Sequence, residues 1–175
     1  MPKINTGFSK FHYRVNGWNS SIRPKPLPGG IKINMQPSSQ ERKVTMRTDK
    51  GLLMTQTFLR PEAGRTGTLE VVSLPESFLT DVLGWYRNSE NGPLIEGPYS
   101  EIHLELKYET DNGGNPMRFV IYDVVFSRPN FDASTLSASP NANTRSLEFT
   151  VNPNEIGEYQ ARASQGDTGY DTWFD

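Results

Sequence analysis

The sequence predicts a mainly β chain, a β-sandwich or partly closed barrel of about seven or eight strands with one flanking α-helix. Three observations lead there. The stretch EIHLELKYE, Glu101 to Glu109, alternates polar and apolar residues without a break, which is the period of a half-buried strand. Glycine (15) and proline (13) are dispersed along the chain, as many short strands joined by turns require. Helical spacing is confined to SLPESFLTDVLGWYRN.

The elements follow in order. SKFHYRVNG (Ser9–Gly17) reads as a first strand with Phe11, Tyr13 and Val15 on one face. WNSSIRPKPLPGG follows as a loop too polar to bury, and IKINM (Ile31–Met35) as a strand ended by QPSSQE. Val44 and Met46, then Asp49-Lys50-Gly51, then Leu53 to Leu59, predict a hairpin. RPEAGRTG turns into the strand TLEVVSL.

The helix is expected to start at a capping box made by Ser73 and Glu76, with Pro75 in its first turn. Its apolar stripe would be Phe78, Leu79, Val82, Leu83 and Tyr86, with Trp85 packed within it and an end near Asn91-Gly92. After the Glu101–Glu109 strand, TDNGGN turns into PMRFVIYDVVF (Pro116–Phe126). Being apolar on both faces, that strand should be central and covered on both sides. TRSLEFTVN alternates through Leu147, Phe149 and Val151, and Pro153 to Asp175 is polar apart from the terminal YDTWFD.

A chain of 175 residues suits a single domain spanning 1–175. With 34% apolar residues the core should be thin, and Trp18–Gly30, Arg60–Gly67 and Pro153–Asp175 are candidates for order gained only on assembly. The absence of cysteine excludes disulfides, thiolate metal sites and cysteine nucleophiles. MPKINTGFSK has no apolar leader core, and no run reaches the ~20 apolar residues of a membrane helix. The expectation is a soluble protein, inside the cell where it is made, with no membrane partner.

A net charge of −2 argues against tight nucleic-acid binding, which counterion release from a basic surface would drive. Arg14, Arg23, Lys25, Lys32, Arg42, Lys43, Arg47 and Lys50 make the N-terminal third basic, but they are not clustered with aromatics. They read as solvated strand faces or subunit contacts.

No catalytic constellation emerges, so the chain is expected not to be an enzyme and to need no cofactor. His12 and His103 lie on separate strands, without metal-ligand spacing. EAGRTGT lacks the lysine and the strand-to-helix setting of a phosphate loop. Glu101 and Glu105 share a strand face, better read as solvated than as an acid–base pair.

Several stretches together carry a resemblance: the opening GFSKFHY, the middle GTLEV leading to an apolar helix, FVIYDVVFSRPNFDASTLSASPNANTRSLEFTV, and the closing GDTGYDTWFD. In order and spacing the chain resembles the major tail proteins of phages with long non-contractile tails (siphophages), particularly those of Gram-positive hosts. The proline-rich Arg23–Gly30 loop and a short C-terminal tail depart from that pattern. The resemblance implies a virion structural protein, assembled in the host cytoplasm as hexameric rings stacked into a tail tube. Its partners would be itself, the tape-measure protein, distal tail or initiator proteins and the tail terminator, with DNA passing through without tight binding.

Under that reading Glu101, His103, Glu105, Lys107 and Glu109 are candidates to face the lumen, where repeated carboxylates would repel passing phosphates. A solvated face on the tube exterior is the alternative. Arg60, Arg65, Trp173 and Phe174 are candidate inter-subunit residues, with Trp173 and Phe174 either anchored on the adjacent ring or folded back on their own subunit. From another class, the alternative is a β-sandwich binding module for carbohydrate or a host surface, as in baseplate parts.

Overall fold

The computed structural model describes residues 7–19, 21–38, 40–60, 64–111, 113–129 and 144–175. The chain is mainly β, as the sequence predicts. β1 (Gly7–Val15), β2 (Lys25–Pro26) and β3 (Gly30–Pro37) lead into the hairpin of β4 (Gln40–Arg47) and β5 (Leu53–Arg60). β6 (Arg65–Val71) and α1 (Glu76–Asp81) follow, then a small hairpin of β7 (Trp85–Arg87) and β8 (Leu94–Glu96). The chain closes with β9 (His103–Asp111), β10 (Met117–Phe126), β11 (Arg145–Val151) and β12 (Gln160–Ser164).

Eight of these strands form one antiparallel sheet in the order β2-β1-β9-β10-β11-β6-β3, with β12 added on β10. β2 and β3 are close in the chain yet stand at opposite ends of that order, so the sheet curls back on itself. The Leu27 N–H donates to the Phe11 carbonyl at 2.7 Å. A Cβ at Gly30 would run into the Phe11 ring, so glycine lets β3 start against β1. β3 nevertheless makes no ladder with β1, and the barrel stays open.

β10 is central, as its apolar sequence requires. One edge pairs with β9, while the other is shared between β12 (Met117–Ile121) and β11 (Val124–Phe126). The handover occurs at a bulge, where the β9–β10 register shifts between Ile121 and Val124 and Asp123 adopts φ +48°.

Inside the curl lie Tyr13, Leu69, Val71, Leu104, Leu106, Leu147 and Phe149, all buried. The helix plugs one side. Phe78 meets Tyr13 and Phe126 edge-on, with centroids 5.1 and 5.4 Å apart. The Tyr13 hydroxyl donates to Asp81 Oδ2 at 2.9 Å, and Lys25 Nζ reaches the same oxygen at 2.6 Å, tying α1 to β1 and β2.

The helix itself is shorter than expected. It ends at Asp81, and Trp85 and Tyr86 belong to β7 rather than to a helical stripe. Gly84 is the physical cause: its φ is +76°, and a Cβ there would sit 2.7 Å from the Pro98 carbonyl oxygen. That turn sends the chain into β7 after Val82 and Leu83 have reached the core. The expected capping box is also absent, since Pro75 is the N-cap and makes no side-chain cap bond. Glu76 is engaged by Arg87 instead, through Nε and Nη2 at 2.6 and 2.7 Å. A bidentate charged pair outcompetes a single cap bond.

Candidate functional site

The alternating strand falls on β9, beginning two residues later than expected, and Glu101 lies before it, exposed. Leu104, Leu106 and Tyr108 face the core as the alternation requires. The polar face is not an open row of carboxylates. Glu109 is only 8% exposed, held by Arg118 Nε at 2.9 Å and by Lys10 Nζ at 2.9 Å. Lys107 donates to the Trp173 carbonyl at 2.8 Å.

Glu101 and His103 are exposed, and Glu105 and Lys107 are both partly buried. The covering layer is the C-terminal segment, which the alternation of β9 could not reveal because it arrives from more than 50 residues away.

Burial alone would raise the Glu109 pKa, but the hydrogen bonds and charges of Arg118 and Lys10 outweigh it and hold the carboxyl below its ordinary value. Lys107 is lowered by burial, with Glu105 pulling the other way. Tyr108, enclosed beneath them, is pushed up to about 12 by burial. Its ring stacks between Phe11 and Phe119, at 5.5 and 5.0 Å.

The four inter-subunit candidates separate. Arg60 ends β5, and its side chain lies outside the described residues. Arg65 opens β6 with its guanidinium over the Tyr159 ring at 4.8 Å. Trp173 donates from Nε1 to the Phe119 carbonyl at 3.1 Å, and Phe174 packs on His12 and under the Arg118 guanidinium. In the isolated subunit both aromatics are therefore folded back on their own sheet. Arg118 also donates to the Tyr170 carbonyl and lies over its ring, so one guanidinium ties β10 to Glu109 and to the chain's end.

Two surfaces went unread in the sequence. One is a groove of about 630 Å³ beside the β9–β10 bulge, lined among others by Trp18, Glu105, Tyr122, Asp123, Pro153 and Glu155. His103 bonds Asp123 at its edge. The only sequence signal for this groove is Asp123 itself, a charge interrupting the apolar run FVIYDVVF.

The other surface is the β4–β5 hairpin, which pairs only with itself among the described residues. The sequence predicts the hairpin but not that it stands off the sheet. Leu52 and Leu53 near its turn are 66% and 70% exposed, and Met46 and Met54 about half exposed (46% and 50%). Among the described residues no group of three or more His, Cys, Asp or Glu side chains is placed to hold a metal ion. No described helix is long and apolar enough to cross a membrane.

No family model matches the chain, and no curated protein matches its sequence. Among solved structures it is similar to the sheath/tube terminator of an extracellular contractile injection system, PVC, in its extended state. The TM-score is 0.42 at 11% identity, covering 88% of this chain and 93% of that one. It is also similar to the tube-terminating cap of the anti-feeding prophage, with a TM-score of 0.39 at 8% identity, covering 89% and 88%.

Proposed function

We propose that this chain is a structural subunit of a phage tail tube, polymerising as stacked hexameric rings around a tape-measure protein to form a conduit for DNA ejection. The siphophage setting and the Gram-positive host are those the sequence resemblance implies. One observation carries the reading: a two-stranded ribbon stands off the main sheet with large apolar side chains in solvent. Isolated two-stranded ribbons are marginal in water, and such apolar exposure marks a surface that another protein covers. Among the described residues the outer edge of β3 has no ladder partner, which supports the same reading, because an open edge invites a further strand.

Within the β9 row Lys107 is engaged by the Trp173 carbonyl and Glu109 by Arg118 and Lys10, so a charged lumen on this strand would rest on the members nearest its start. A bore lined by carboxylates would draw on Glu101, Glu105 and other elements.

The test is negative-stain electron microscopy with sedimentation velocity, on the protein alone and with tape-measure and initiator proteins added. Stacked rings or tubes with a central hole are expected. Single rings that never stack would assign the chain to a tube end, the role named for the two structural neighbours. A discrete monomer that binds glycan under all conditions would overturn the reading in favour of a binding module.

A further inference from the structure

We propose that the β4–β5 ribbon of one copy docks into the acidic groove beside the β9–β10 bulge of a second copy. This rests on the polymerising-subunit reading and names a contact that would drive it. Residues 40–60 carry five cations (Arg42, Lys43, Arg47, Lys50, Arg60) against Glu41 and Asp49, a net +3. The whole chain carries −2, so the rest carries −5.

That asymmetry selects the occupant. Two ribbons packed on each other about a two-fold axis would set +3 against +3, and like charges brought together across an interface are strongly disfavoured. A ribbon placed on the body of another copy meets the complementary sign. Such a head-to-tail contact repeats from copy to copy, so it builds a ring or a stack rather than a closed dimer.

The groove has the matching chemistry. Its floor offers the apolar surfaces of Trp18, Tyr122 and Pro153, and Ile156, 76% exposed, is close by in the chain. Its carboxylates are Glu105, Asp123 and Glu155, and of its two basic side chains His103 is already bonded to Asp123, leaving Arg14. The Tyr122 phenol reports the local field: burial first, then the Glu158 and Glu105 carboxylates, raise its pKa.

Leu53, which shares a ribbon face with its cross-strand partner Arg47, would cover Trp18 and Tyr122, while Arg47 and Lys50 answer Glu105 and Glu155. Glu105 would then lie at a subunit boundary rather than in the bore. The amphipathic character of the ribbon tip and of the groove is thus paired in both its apolar and its charged parts.

The experiment is a charge swap read by sedimentation velocity and electron microscopy, with tape-measure and initiator proteins present. One variant carries Arg47→Glu and Lys50→Glu, the other Glu105→Lys and Glu155→Lys; both should keep the wild-type far-ultraviolet circular dichroism and melting midpoint. Each alone should remain unassembled at ten times the concentration at which the wild type assembles, and a one-to-one mixture should restore assembly. Either variant assembling like the wild type overturns the contact and leaves the subunit reading standing. A mixture that fails to recover also overturns it. A wild-type chain that never assembles overturns both.

Discussion

Arg118 and Glu109 are cross-strand partners on β10 and β9, and the guanidinium Nε lies 2.9 Å from the carboxylate in a site where both side chains are largely buried. The pair joins the sheet to the chain terminus, since the same arginine holds the Tyr170 carbonyl and carries the Tyr170 and Phe174 rings. Removing Glu109 leaves two cations, Lys10 and Arg118, facing each other without their counter-charge. Glu109→Ala should therefore cost about 3 kcal/mol, at the low end for a broken buried pair because water still reaches its edge. Thermal unfolding should fall by roughly 6–12 °C for a domain of this size.

Acid should act on the same pair. Because the folded-state pKa of Glu109 lies below its ordinary value, its contribution is complete above that ordinary value and is lost as pH falls through the lowered one. Melting midpoints followed from pH 7 downward should drop more steeply in the wild type than in Glu109→Gln. Parallel curves would mean that the pair is not coupled to folding.

Trp173 tests the terminal cover. Its indole bonds Phe119, and its carbonyl accepts from Lys107, so Trp173→Ala uncovers β10 and removes the indole's hydrogen bond. The side chain is only half-buried, so a loss of about 2 kcal/mol is expected, short of a full core truncation. Chemical denaturation should show a lower midpoint with an unchanged slope.

Gly84 should tolerate no side chain. At φ +76° and with the Pro98 carbonyl beside it, Gly84→Ala should cost about 1–3 kcal/mol. A thermal melt unchanged from the wild type would show that the α1–β7 turn relaxes around the added methyl.

The ribbon should behave in the opposite way. Leu53→Lys changes an exposed position, so stability should move by less than about 0.5 kcal/mol. Ring or tube formation, followed by light scattering, should be lost. In hydrogen exchange, amides of residues 43–57 should exchange quickly in the monomer and slow down on assembly.

Much of the fold was legible because it rests on local periodicity. Leu104, Leu106 and Tyr108 point inward for the same reason they alternate, and Leu147, Phe149 and Val151 repeat the pattern on β11. The doubly apolar run from Met117 to Phe126 declared itself central. Turn chemistry located the β4–β5 hairpin around Asp49-Lys50-Gly51. The helix is shorter than its sequence stripe, which continues through Tyr86, because Gly84 turns the chain in space.

The class, the strand faces and the central strand are thus set by side chains within a few residues of one another, and are legible in the sequence. Tertiary structure decided which charges are free. Glu105 and Glu109 are alike on a strand read alone, yet one borders an open groove and the other is buried between Lys10 and Arg118. Tertiary structure also left the hairpin pairing only with itself among the described residues, with Leu52 and Leu53 in solvent beside the exposed Lys43, Arg47 and Lys50. Solvation and pairing depend on what packs over a surface from distant parts of the chain, and no local pattern encodes that.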